Sequence, residues 1–306
     1  VLTDGTGAVN FLKALVMNYL SLVDGEEVKI EVPRRMVHSE LEDSYKKYSQ
    51  KKQKKLVKLP KAFRLKGKLL PVTTIGVVHG YLSADELLSH CRAKGVTITE
   101  YITSVYVWSI YQAHHVNGLM KKPIQLAVPV NLRKFFESTT QMNFFSHITI
   151  AVDATQTELQ FEDILSAINV QFKEKITKEK MIASISKDVA TREHIATRAL
   201  PLFLKTFFVK MVHWVSVQSY TSTLSNVGKI EMPERFRNRI DHFELLMTTS
   251  ALDPMKCALC AYEDQLIVTL SSQLQEPTIQ KVFFRKLAED GLTVLIETNG
   301  AYYEEL

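Results

Sequence analysis

Val1-Leu2-Thr3-Asp4-Gly5-Thr6-Gly7-Ala8-Val9-Asn10-Phe11-Leu12 is a polar, glycine-containing entry into a helix over 5–21. Ala8, Leu12, Leu15, Val16 and Tyr19 recur at three- and four-residue steps, which gives a helix one apolar face. Asp4 and Thr6 stand at its start, where a short polar side chain accepts the free backbone N–H groups of the first turn. Gly5 and Gly7 permit close backbone approach. They do not form a phosphate-binding glycine loop, because its strand–turn–helix spacing is missing.

Beyond this helix, 22–68 reads as a connector, with a polar helical stretch over Glu40–Lys55. From Pro71 the pattern changes. Thr73–Tyr81 is β-branched and apolar, a strand. Ser83 with Glu86, and Thr97 with Glu100, have capping-box spacing and open helices over 84–94 and to about His115, with Gly95 ending the first. Ile124–Leu132 and Phe144–Val152 read as strands, followed by helices over about 159–176, 177–195 and 199–218. Strands are expected near 220–227, 241–250, 255–262 and 265–272. A helix then starts at Pro277 and runs to Glu289, and Leu292–Thr298 is a last strand. Irregular alternation with a late run of antiparallel strands predicts an α/β fold of the α+β sandwich kind: a mixed, mostly antiparallel sheet covered by helices.

The composition suits this. Hydrophobic residues make up 46% of the 306 and charged residues 23%, enough apolar side chain to fill a core. Three cysteines cannot build a disulfide framework, so a reducing compartment, the cytoplasm, is expected. The net charge of +5 is local. Lys46–Lys68 holds ten lysines and Arg64 without an acidic residue, and the rest of the chain is net acidic. That run reads as a solvated connector, with phosphate, nucleic-acid or acidic-lipid contact as the sharper alternatives. Its aromatics Tyr45, Tyr48 and Phe63 are too sparse for base stacking, so no nucleic-acid partner is expected. No transmembrane segment is expected either: the best stretch, Leu200–Ser219, is interrupted by Lys205, Lys210 and His213.

Val1 to Gly5 matches the last five positions of the motif His-x-x-x-Asp-Gly (HxxxDG), and the segment into Leu12 resembles the alcohol acetyltransferase branch of the chloramphenicol acetyltransferase-like and condensation-domain superfamily. Further segments follow in that family's order. They are Tyr81–Leu87 with Gly95–Glu100, Val128-Pro129-Val130-Asn131-Leu132-Arg133, Met142–Phe145, and Thr223-Leu224-Ser225-Asn226-Val227-Gly228. The resemblance implies two similar subdomains with a tunnel between them: 1–65 as the end of the first plus the basic crossover, 66–306 as the second. It implies O-acyl transfer, acetyl above all, from acyl-coenzyme A as co-substrate to a small alcohol. No permanently bound cofactor and no metal is implied. Alternatives are a condensation-like transferase fed by carrier-protein thioesters, or a non-catalytic scaffold of the same fold.

The resemblance also implies the site. The general base is the motif histidine, which would immediately precede Val1. The N-terminal part bearing it is then an expected partner, and the 306-residue chain alone should be inactive. Asp4 and Gly5 carry the rest of the motif. Asp4 is expected to pair with Arg133, next to Asn131 in the arginine-ending strand, and this pair would hold the loop presenting the base. The simpler reading of Asp4 is an N-cap, and one residue can serve both. Ser225 and Asn226 are candidates to meet the developing oxyanion or orient substrate, against a strand end and an Asn226-Val227-Gly228 turn.

Other chemistry-bearing residues read as structural. Cys257 and Cys260 lie three apart in a strand, which places the thiols on opposite faces and disfavours zinc. His79 and His147 sit in strands, and His114-His115 ends a helix without the aspartate that a second motif needs. Phe203, Phe207, Phe208, Met211 and Trp214 read as core packing, with a lipophilic acceptor groove as the alternative.

Overall fold

Local signals set most element boundaries in the computed structural model, which describes residues 3–26, 40–50, 61–193 and 217–302, with Thr206, Lys210 and Met211. Helix α1 (Gly5–Val23) is capped by Asp4. A short helix, α2 (Ser44–Tyr48), precedes strand β1 (Gly76–Ser83). Ser83 accepts the Glu86 N–H and opens α3 (Ala84–Ala93). Thr97 and Glu100 form a reciprocal capping box at the head of α4 (Ile98–His114). Strand β2 (Ile124–Asn131) runs into a 3₁₀ turn (Leu132–Lys134), and β3 (Phe145–Val152), α5 (Phe161–Lys175) and α6 (Lys178–Glu193) follow. The C-terminal third holds β4 (Ser222–Lys229), α7 (Glu234–Arg237), β5 (Met255–Tyr262), β6 (Gln265–Ser272), α8 (Thr278–Glu289) and β7 (Leu295–Thr298).

Among the described residues seven strands form one sheet, in the order β3-β2-β4-β5-β6-β1-β7. The β2/β4 and β4/β5 pairs are parallel and the others antiparallel. Strand alternation sends side chains to two apolar clusters. Val78, Leu82, Leu224, Cys257, Leu259, Val268 and Leu270 join the helices in the larger one. Tyr81, Cys260, Tyr262 and Ile267 meet Ile230, Met232, Phe236, Phe243 and α1 in the smaller one. Cys257 and Cys260 thus lie on opposite faces. All seven strands fall on the C-terminal side of the division expected at residue 65.

Three expectations need correction. Residues 241–249 form no strand; they are held to the sheet by side chains, with Phe243 packed in the smaller cluster, Cys260 donating to the Phe243 carbonyl and the Ser271 hydroxyl donating to the Met247 carbonyl. Only Ser44–Tyr48 of the Glu40–Lys55 stretch is helical among the described residues. The apolar face of α1 agrees with the expected one only at Val16. Val9, Val16, Met17 and Leu20 meet the sheet cluster, while Phe11, Leu12, Leu15, Tyr19 and Leu22 point outward. Apolar residues occupy both sides of this helix, so by length and composition alone Gly5–Val23 could cross a membrane, a candidate the hydropathy reading had not named. Phe203, Phe207, Phe208, Trp214 and Lys51–Lys58 lie outside the described residues.

All three cysteines are buried, and none is in a disulfide. Burial pushes Cys91 up to about 12 and Cys260 up to about 11, and raises Cys257 further. A thiolate is the reactive form. A thiol-reactive chromophore at neutral pH should therefore label none of the three in the folded chain and all three in denaturant. Fast labelling of the folded chain would contradict this packing.

Candidate functional site

Strands β2 and β4 run side by side for only one step. Leu126 pairs with Ser222 and Ala127 with Thr223, and then the strands part. The Gln125 N–H points toward β4, donating to Thr221 Oγ1. Alternation aims the nitrogen of residue 129 the same way. That residue is Pro129, which has no N–H to give, so the ladder stops where it does.

The split is the floor of a cavity of about 720 Å³. Val128, Pro129, Val130 and Asn131 line one side and Ser225, Asn226, Val227 and Gly228 the other. The start of α1 (Asp4, Gly5, Thr6), the head of α4 (Thr97, Thr99, Glu100), Phe172 near the end of α5 and Ile176 just past it also line it. A smaller groove of about 170 Å³ adjoins it, sharing Thr6, Asn131 and Val227.

Asp4 is the node that places α1 here. Its Oδ1 accepts the Gly7 N–H at 3.1 Å, which caps the helix. Its Oδ2 accepts the Phe144 N–H at 2.8 Å and Arg133 Nη1 at 2.8 Å. The side chains are 5% and 13% exposed, so the expected ion pair exists and is largely buried. The guanidinium also donates from Nε to the Thr140 carbonyl (2.9 Å) and from Nη2 to the Met142 carbonyl (2.7 Å). A fork with five donors suits this role in a way lysine could not. Asn131 Nδ2 donates to Thr6 Oγ1 at 3.0 Å, and its Oδ1 accepts the Arg133 N–H at 3.0 Å. Asp4 is therefore both cap and ion-pair partner.

Gly7 explains itself sterically. A Cβ there would lie 1.8 Å from Thr3 Oγ1 and 2.7 Å from the Gln141 carbonyl oxygen. Gly5 differs from expectation: a Cβ there would make only an ordinary 3.6 Å contact with Val227.

Ser225 lies on the cavity wall, half-buried. Asn226 lies beside it, but its amide is committed: Nδ2 donates to Thr99 Oγ1 at 2.9 Å, and Oδ1 accepts the Gly228 N–H at 2.8 Å. That turn, with Gly228 at φ +80, is the irregularity between Asn226 and Lys229 where β4 loses register with β5. Asn226 thus ties the bulged end of β4 to the head of α4.

Chemically, the lining offers hydroxyls (Thr3, Thr6, Thr97, Thr99, Ser225), two carboxylates and two ammonium groups, Lys134 and Lys173. Both carboxylates are spent. Asp4 is paired, and Glu100 accepts the Thr97 N–H at 2.7 Å and Asn169 Nδ2 at 3.2 Å. Among the described lining residues there is no histidine and no cysteine. The sequence reading missed Lys134, Phe135, Phe145, Phe172, Lys173, Thr97 and Thr99 as lining residues. The one signal for the cavity itself was a proline inside a strand.

No protein-family model matches the chain, and no curated protein matches it. Solved structures do. The trichothecene 15-O-acetyltransferase from Fusarium sporotrichioides superposes with a TM-score of 0.57 at 11% identity, over 94% of this chain and 63% of that one. The epimerization domain from the third module of tyrocidine synthetase B gives 0.53 at 11% identity, over 94% and 66%. The first condensation domain of the calcium-dependent antibiotic synthetase gives 0.50 at 14% identity, over 95% and 62%. At these identities the likeness is one of fold, and the chain spans less than two thirds of the length of each.

Removing one partner of a buried ion pair strands the other, at a cost of about 3 kcal/mol or more. Arg133→Ala should lower unfolding free energy by about that amount. Urea titration of the variant against the parent chain checks this, and an unchanged midpoint would show the pair to be energetically idle.

Proposed function

We propose that this chain, which has the fold shared by chloramphenicol acetyltransferase-like enzymes and condensation domains, forms the supporting half of an acyl-transfer site. The reaction moves an acyl group, acetyl first among them, from an acyl-coenzyme A thioester to an alcohol. The observation that carries this reading is the cavity in the β2/β4 split, where the Asp4-Gly5 end of α1 and the Ser225 hydroxyl line the same space.

In the reaction, a base takes the alcohol proton as the oxygen attacks the thioester carbonyl carbon. The carbonyl oxygen becomes an oxyanion, and the Ser225 hydroxyl donates to it. Collapse breaks the C–S bond, and the departing thiolate takes the proton back from the base. Asp4, Arg133 and Asn131 position the helix entry, and Asn226 positions the β4 end, without touching the reacting atoms. Donor and acceptor need separate approaches, which the cavity and its adjoining groove provide.

The base is assigned to a histidine immediately before Val1. The outward apolar residues of α1, Phe11, Leu15 and Tyr19 among them, would then take the N-terminal part of the site as cover. A non-catalytic scaffold of the same fold is the second reading. The codon preceding Val1 separates them: histidine supports catalysis, and another residue supports the scaffold.

Two measurements follow. The purified 306-residue chain should release no coenzyme A from acetyl-coenzyme A with any of a panel of alcohols; turnover would overturn the assignment of the base. In the complete enzyme, Ser225→Ala should lower kcat by about 100-fold, the size expected for one oxyanion donor, with little change in KM. An unchanged kcat would remove Ser225 from the mechanism.

A further inference from the structure

We propose that the Thr6 hydroxyl is a preset hydrogen-bond donor that selects acceptor alcohols carrying a second, non-reacting oxygen. The proposal rests on the acyl-transfer reading and adds the chemistry of the acceptor.

Asn131 fixes the orientation of Thr6. Its Oδ1 accepts the Arg133 N–H at 3.0 Å, and Arg133 Nη1 lies 3.4 Å from the same oxygen. Both are donors only, so the amide has one orientation, with Nδ2 turned to Thr6 Oγ1 at 3.0 Å. An amide nitrogen donates and does not accept. The Thr6 oxygen is therefore the acceptor of this bond, and its own proton points elsewhere.

Helix hydroxyls ordinarily have an outlet for that proton. Thr103, Ser104, Ser109, Ser186 and Thr191 each donate to the carbonyl four residues back. Thr6 is the second residue of α1, so no carbonyl of its own helix lies four residues back. Among the described residues, no acceptor takes its proton. Thr6 lines both the cavity and the adjoining groove, which leaves the proton for a ligand.

The arrangement occurs twice. Thr99 is the second residue of α4, its Oγ1 accepts Asn226 Nδ2 at 2.9 Å, and Asn226 Oδ1 is held by the Gly228 N–H. Both strands that flank the gap thus orient a threonine through an asparagine. The two copies lie on opposite faces of the sheet. Val130 and Leu224 turn into the larger cluster, so alternation sends Asn131 to the α1 side and Asn226 to the α4 side.

Position and chemistry name the ligand. Thr6 is in the first turn of α1, at the entry beside Asp4 where the base is assigned, so the substrate within its reach is the alcohol. The reacting oxygen gives a lone pair to carbon, and a hydrogen bond donated to it would hold that pair back. The developing oxyanion is assigned to Ser225. The Thr6 proton is left for another oxygen of the alcohol: a hydroxyl, an ether or a carbonyl. A methylene in that place leaves the donor unpaired, which is how a site rejects the analogue lacking the oxygen. Thr6 also has an internal use, since it satisfies Asn131, but that use engages its oxygen and not its proton.

The test is steady-state kinetics of the complete enzyme with acetyl-coenzyme A and two isosteric pairs of alcohols: n-propanol against ethylene glycol, and n-hexanol against diethylene glycol. The readout is the ratio of kcat/KM within each pair, oxygen-bearing member over alkanol. Thr6→Val should lower this ratio about tenfold in at least one pair, and Thr6→Ser should keep it. Thr99→Val, on the opposite face, should leave the ratio unchanged. A purely internal role lowers both members alike, so an unchanged ratio in Thr6→Val overturns the proposal and leaves the acyl-transfer reading standing. A fall in Thr99→Val as large as in Thr6→Val overturns the assignment to Thr6. No coenzyme A release with any of the four alcohols overturns both the proposal and the acyl-transfer reading.

Discussion

The ion pair between Asp4 and Arg133 is the constraint from which the site follows. One carboxylate joins three pieces of chain that are far apart in sequence: the first turn of α1 through Gly7, the head of β3 through Phe144, and the turn after β2 through Arg133. Arg133 in turn collects the Thr140 and Met142 carbonyls, so the loop between β2 and β3 is held from inside. Two charges nearly removed from water are tolerated because almost every donor and acceptor between them is used. The same node leaves no freedom for a side chain at residue 7, where the backbone of α1 runs against Gln141.

With α1 fixed there, the cavity needs only a gap in the sheet, and the gap has two causes. Pro129 denies β4 a donor just past the single paired step, and the Asn226 turn bends β4 away from regular pairing at its far end. The interruption falls between a strand that ends at Asn131, with Arg133 in the turn that follows it, and a strand that carries Ser225. The elements that support α1 are therefore the ones that frame the opening. Asn131 links the two functions directly, bonding Thr6 of α1 with one side of its amide and capping the Arg133 turn with the other.

Helix α1 illustrates how a periodicity reading can name the wrong face. Apolar residues stand on both sides of it, so three- and four-residue steps fit more than one stripe. Ala8, Leu12, Leu15, Val16 and Tyr19 make a continuous stripe in the sequence, yet of these only Val16 meets the sheet cluster, beside Val9, Met17 and Leu20. Asp4 ties the first turn of the helix to Arg133 and Phe144. Residues 241–249 misled for a related reason: alternating polarity marks an extended chain, but pairing partners lie elsewhere in the sequence, and here side-chain burial took their place.

By itself the sequence determined what local chemistry decides. The helix starts at Asp4, Ser83 and Thr97, the strands from β1 to β6, and the opposite faces of Cys257 and Cys260 all follow from caps, alternation and turn residues within a few positions. The resemblance of short motifs in a fixed order supplied the fold and the pairing of Asp4 with Arg133, two residues that no local rule connects. Only the tertiary structure decided where the β2/β4 gap opens, which charged side chains line it, and that the Asn226 amide is already committed. Those properties depend on which side chains meet across the fold. A residue's type fixes what it can donate or accept, but its partner is fixed by packing.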